Sequence, residues 1–235
     1  MINPWKALLF DLDNTLLDRT LTFSKFTDKL LDTFATALTT DEKNRWSSLI
    51  IELDNDGYKN KKELFHDILP LLPWKDKLAA DQLWDFYTRE YPANAELMQG
   101  TRKLLDYCKG KYSLGLITNG LTEIQYGKID ILGIRGYFDV ILVSEQAGVK
   151  KPDRTIFEMA LMKLNMKPTE SLYVGDHPKN DIEGAASAGM KSIWMKRNQP
   201  WPESVTVKPI HTVSSVHELL SYLKEQTNEN SADPV

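Results

Sequence analysis

The chain has 235 residues, 42% hydrophobic and 26% charged, with a formal net charge of -4. That size suits one large domain or one domain carrying an inserted smaller one, and the mild acidity without a long basic run argues against a nucleic-acid polymer as partner. One cysteine excludes an internal disulfide, and no apolar run reaches the ~20 residues that span a bilayer. The opening residues Met1 to Lys6 carry no secretion signal, so a soluble cytoplasmic protein, monomer or homodimer, is expected.

Ala7 to Phe10 is a continuous apolar run of the kind that forms a strand buried on both faces. It ends in Asp11-Leu12-Asp13. In extended backbone those two carboxylates point to opposite sides, so they share a site only if the chain turns there. Two acids at the tip of a buried strand need a cation or hydrogen bonds to compensate their desolvation; an acidic strand-to-loop turn is the alternative.

From Thr20 to about Pro92 the pattern is helical. Phe23, Phe26, Leu30, Phe34 and Leu38 form one stripe. Thr39 and Glu42 have capping-box spacing and open a second helix with Trp46, Leu49, Ile50 and Leu53, ended by Gly57. A short third helix carries Leu64, Phe65 and Ile68; a fourth carries Leu83, Phe86, Tyr87 and Tyr91 and stops at Pro92. This predicts a four-helix bundle with the aromatic stripes as its core.

From Met98 the chain alternates α and β. A helix to Lys109 holds Cys108 at core spacing with Leu104 and Leu105, so a buried thiol is expected. Strands are predicted at Ser113–Ile117, Val140–Val143, Ser171–Val174 and Lys191–Met195, with helices around Glu123–Leu132, Asp153–Leu164 and Asn180–Ala188. Ser214 or Ser215 caps a last helix through Leu223. The fold class is therefore α/β, a doubly wound parallel sheet of Rossmann-like type with an inserted four-helix cap. The core takes residues 1–17 and 95–225, the helical insert 18–94, and 226–235 is a polar tail expected to be disordered. The insert is placed to act as a lid over the carboxy edge of the sheet.

Polar residues follow four strand ends: Asp11 and Asp13; Thr118, Asn119 and Gly120; Lys151, one loop past the third strand; and Asp176 with Asp181. In a parallel sheet all these ends share one edge. Carboxylates without cysteine, and with only His177 nearby, suit Mg2+ rather than zinc. A lysine, a hydroxyl and backbone N–H groups suit a phosphate. The set fits phosphoryl transfer, with one aspartate as nucleophile and a second as acid and base.

The four motifs, Asp11-Leu12-Asp13-Asn14-Thr15, Thr118-Asn119-Gly120, Lys151-Pro152 and Gly175-Asp176 with Asp181, resemble those of the haloacid dehalogenase-like superfamily, over Lys6 to about Lys196. The resemblance includes a helical cap inserted after the first motif. It implies Asp11 as nucleophile and metal ligand, and Asp13 as acid and base, meeting the metal through its backbone carbonyl. It implies Thr118 and the Asn119 N–H as phosphoryl-binding groups, Lys151 as the neutralising cation, and Asp176 as a metal ligand. Asp181 would hold a metal-bound water or orient Lys151; the alternative is a carboxylate favoured at a helix start. Asp13 argues against a dehalogenase, which lacks this second acid. A phosphatase acting on small phosphorylated metabolites, of nucleoside monophosphate or sugar-phosphate type, is the expectation; a phosphomutase and a non-catalytic phospholigand-binding protein stay open. Arg19 is a candidate for substrate selection, whereas Lys59, Lys61 and Lys62 read as a solvated loop.

Overall fold

The computed structural model describes residues 5–228. The chain forms two compact units, one holding the residues up to Leu17 and from Leu97 onward, the other Asp18–Glu96. β1 (Ala7–Phe10) is buried along its whole length. The second unit leaves the first between Leu17 and Leu97, which bridge each other, and is closed by the Asp18 N–H donating to the Glu96 carbonyl at 2.9 Å.

The second unit contains α1 (Arg19–Phe34), α2 (Thr40–Asp54), α3 (Lys61–Ile68) and α4 (Ala80–Ala93). Asp18 caps α1 by accepting from the Leu21 N–H at 2.9 Å, and the Thr39–Glu42 box caps α2. Phe23, Phe26, Phe65, Phe86, Tyr87 and Tyr91 pack as one aromatic core; the Tyr87 and Tyr91 rings stack at 5.0 Å. Pro92 lies inside α4 instead of ending it. In the last turn it forfeits one N–H donor, and Asn94 ties off the end through the Glu90 carbonyl. α2 stops at Asp54, and Asn55, Asp56 and Gly57 follow with positive φ of 50°, 51° and 93°.

In the first unit α5 (Thr101–Cys108), β2 (Ser113–Thr118), α6 (Thr122–Ile131), β3 (Val140–Val143), α7 (Ser144–Ala147), α8 (Arg154–Leu164), β4 (Ser171–Gly175), α9 (Gly184–Ser187), β5 (Lys191–Met195), β6 (His211–Val213) and α10 (Val216–Asn228) follow in turn. The sheet is parallel in the order β3-β2-β1-β4-β5-β6. β1 lies between β2 and β4, so the winding reverses at its carboxy end, where such sheets open a crevice. On one face Leu9, Ile117 and Tyr173 pack against Ile156, Phe157 and Ala160 of α8.

In the first unit several segments depart from the sequence reading, α7 among them, which lies in a stretch expected to be loop. β6 was not predicted; three residues long with two exposed, it carries almost no periodicity. The helix expected from Asn180 starts at Pro178 as a wide π turn and becomes α-helical only at Gly184. Gln226 to Asn228 continue α10 rather than starting a disordered tail, and residues 229–235 lie outside the described residues. Among the described residues no helix is long and apolar enough to cross a membrane.

Candidate active site

The turn that the first motif requires is present. The Leu12 carbonyl accepts from the N–H groups of Leu16 and Leu17, each at 2.9 Å, and Asn14 takes a φ of 61°. This folds the chain back immediately after Asp11, whose own N–H still donates to Val174 of β4 at 2.9 Å. Asp11 is thus fixed at the mouth of the crevice between β1 and β4.

Lys151 reaches the same point from the loop after α7. Its ammonium donates to Asp11 Oδ1 at 2.6 Å, to Asp181 Oδ1 at 2.7 Å and to the Tyr173 hydroxyl at 3.1 Å. Asp181 is 1% exposed, and its other oxygen accepts from the His177 N–H at 2.9 Å. The π turn brings it there: Asp181 and Ile182 both donate backbone N–H groups to the His177 carbonyl, so the turn widens and swings the carboxylate back under β4. Burial pushes the Asp11 carboxyl up to about 7, opposed by Lys151 and reinforced by Asp181. Burial alone would depress Lys151, but Asp11 and Asp181 outweigh it and hold the ammonium well above its ordinary value.

Asp11, Asp176 and Asp181 each offer a carboxylate oxygen, all within 4.8 Å of one another. Asp11 Oδ2 is buried and has no hydrogen-bond partner. An orphaned anionic oxygen beside two other buried carboxylates is what a hard divalent cation with oxygen ligands satisfies. The donor set therefore fits such a cation. The Asp13 carboxylate is not part of this cluster.

Thr118, 1% exposed, ends β2 beside β1. The Asn119 side chain does something the sequence did not indicate: its Oδ1 accepts from the Lys151 N–H at 2.9 Å and its Nδ2 donates to the Lys151 carbonyl at 3.0 Å. It clamps the lysine loop to β2. Two residues escaped the sequence reading altogether. Gln125 and Lys128, on one face of α6, are 2% and 3% exposed. Lys128 meets both oxygens of Asp13, at 2.8 and 3.0 Å, and Gln125 donates to Asp13 at 2.9 Å. Their one signal was a polar pair spaced i, i+3 in a helix that otherwise needs that face for packing.

In the second unit Asp54 is 1% exposed and takes Arg19 at 2.6 Å on one oxygen and Lys61 at 2.5 Å on the other. Lys61 is thus not the solvated side chain its loop composition predicted. Lys59 pairs with Asp67 at 2.5 Å, and Lys62 lies over the Trp84 ring at 5.1 Å.

The order of the sheet, the switch-point crevice and the buried acid–lysine cluster define a doubly wound α/β protein with a charged cluster at its carboxy edge. A family model for haloacid dehalogenase-like hydrolases matches residues 8–195, and the chain belongs to that family. It is 31% identical over 231 residues to a glyceraldehyde 3-phosphate phosphatase of Methanothermobacter thermautotrophicus, covering 92% of this chain and 99% of that protein. It is 29% identical over 225 residues to the pyrimidine 5'-nucleotidase YjjG of Escherichia coli, covering 92% of this chain and 96% of that one. The solved chain of YfnB from Bacillus subtilis, bound to magnesium, shares the fold with a TM-score of 0.71 at 23% identity, over 94% of this chain and 99% of that one.

Proposed function

We propose that this protein is a Mg2+-dependent phosphatase that hydrolyses small phosphate monoesters, of nucleoside monophosphate or sugar-phosphate type, through an aspartyl-phosphate on Asp11. The observation that carries the reading is Asp11 itself: one oxygen lies on the Lys151 ammonium and the other is buried without a partner, beside Asp176 and Asp181. The phosphatase and nucleotidase names of the relatives support it.

In this reading an Asp11 oxygen attacks phosphorus and the bond to the leaving alkoxide breaks, while Asp13 gives that oxygen a proton. Asp13 then takes a proton from water as the water oxygen attacks phosphorus. The bond to Asp11 breaks, releasing inorganic phosphate. Lys151 offsets charge on Asp11 and the incoming dianion, and Asp181 and Asn119 hold it in place. Thr118 and the Asn119 N–H grip the phosphoryl oxygens. Asp11, Asp176 and the Asp13 backbone carbonyl would hold Mg2+, which would neutralise charge building on the transferring group. We assign the work to the cytoplasm, on free metabolites, by a monomer or homodimer.

The test is phosphate release from a panel of nucleoside monophosphates and sugar phosphates, with Mg2+ and with EDTA. Activity is expected only with Mg2+, and Asp11→Asn should abolish it. Asp13→Asn should lose turnover yet keep Mg2+ binding, because its metal contact is a carbonyl. Unchanged turnover in D11N would remove the nucleophile assignment.

A further inference from the structure

Neither the four motifs nor the roles assigned above account for a lysine and a glutamine buried on α6. An ammonium that is 3% exposed is costly to desolvate unless a charge partner compensates it. Lys128 spans both oxygens of Asp13 at 2.8 and 3.0 Å. Gln125 Nε2 has two protons for three acceptors, Asp13 Oδ2 at 2.9 Å, the Asn119 carbonyl at 3.1 Å and Thr118 Oγ1, so one N–H is shared between two of them. A single amide thus ties together the turn after β1 and the end of β2. The amide needs its NH2 on this side, since a carboxylate and a carbonyl face it.

Room for Gln125 is supplied by Gly120. A Cβ there would lie 2.9 Å from the Gln125 Cγ, and the Gly120 φ of 151° is one that side chains rarely adopt. The last residue of Thr118-Asn119-Gly120 therefore makes room for the Gln125 side chain of α6.

We infer that Lys128 and Gln125 are positioning residues that hold the Asp13 carboxylate and orient the Thr118 hydroxyl for phosphoryl transfer. Lys128 fixes both Asp13 oxygens, so the carboxylate cannot rotate freely between leaving group and water. Gln125 occupies a lone pair of Thr118 Oγ1, which turns the Thr118 O–H proton toward an incoming phosphoryl oxygen. The inference deepens the phosphatase reading and rests on it. A misplacement of about 1 Å at a reacting group costs about a hundredfold in rate.

The test is steady-state kinetics of Lys128→Met, Lys128→Arg and Gln125→Leu, with thermal melts and Mg2+ titration as controls. K128M should lose kcat by about ten- to a hundredfold, with KM and Mg2+ affinity changed by no more than about threefold. K128R, which keeps charge and donors, should recover most of that loss; a purely structural role would not give this split. Should K128M not accumulate folded, Q125L carries the same expected loss in kcat, with KM free to rise because Gln125 also bonds Thr118. The decisive arm follows nitrophenolate release from p-nitrophenyl phosphate, whose leaving group needs no proton. In the Asp13→Asn background, K128M should add no further loss, because the inferred role of Lys128 is exerted on the Asp13 carboxylate. Additive losses, a raised KM at unchanged kcat, or wild-type kcat in K128M would overturn the inference alone. A wild-type protein that releases phosphate from no ester would overturn the phosphatase reading, and the inference with it.

Discussion

Asp181 occupies the space that any side chain at residue 175 would need. A Cβ built on Gly175 lies 2.4 Å from the Asp181 Cγ, well inside contact distance. Gly175 ends β4 in a backbone conformation open to any residue, so the conflict is purely steric. Gly175→Ala must therefore push Asp181 off Lys151. Activity is expected to fall by about a hundredfold and stability by about 1–3 kcal/mol. Parallel kcat and urea-denaturation measurements check this, and wild-type turnover in G175A would show that Asp181 does not need its present place.

The Asp11 carboxyl, lifted by burial to about 7 from 3.8, gives the metal-free protein a pH signature. A raised folded pKa means the fold prefers the protonated acid. The associated stability is complete below about pH 4 and is lost as pH rises through about 7. Between pH 5 and pH 8 in EDTA, wild type should lose on the order of 2–3 kcal/mol that Asp11→Asn, which cannot ionise, retains. Mg2+ should reverse the difference, since a cation favours the ionised form. Equal pH slopes for the two proteins would refute the assignment.

Asp54 balances two cations in the helical unit, Arg19 and Lys61. Removing it leaves both positive charges close together with that anion gone. Asp54→Ala should cost about 3–5 kcal/mol, the usual penalty for breaking a buried ion pair by deleting one partner. A melt of D54A beside Lys59→Ala separates this from surface charge effects: Lys59 pairs with a half-exposed Asp67, and its loss should stay below about 1 kcal/mol.

Burial pushes the Cys108 thiol up to about 12, and it is the chain's one cysteine. At pH 8 its thiolate fraction should be about a thousandfold below that of an ordinary thiol. A disulfide reagent should therefore label the folded protein negligibly and label one thiol per chain in denaturant. Rapid labelling of the folded protein would mean that α5 opens.

How the candidate site was legible follows from how strands end. Asp11, Thr118 and Asp176 sit where apolar runs stop, with Lys151 one loop past such a stop, and a parallel sheet gathers these ends on one edge whatever its details. Their convergence was readable because it needs only periodicity and topology. The aromatic stripe of the insert was readable for a similar reason: Phe23, Phe26, Tyr87 and Tyr91 recur at helical spacing, and burial follows.

Lys128, Gln125, Lys61 and the clamp of Asn119 on Lys151 were not readable. A lysine in a helix or loop has the same local sequence whether it is solvated or paired. Which it becomes depends on what lies opposite, and the partners are remote in sequence: 115 residues separate Lys128 from Asp13, and 32 separate Asn119 from Lys151. The sequence by itself determined the sheet edge, the bundle core and the acids that meet there, because apolar periodicity is a local property that burial rewards directly. Only the tertiary structure decided which polar groups pair, because a buried charge is stable only against a specific partner placed within about 3 Å.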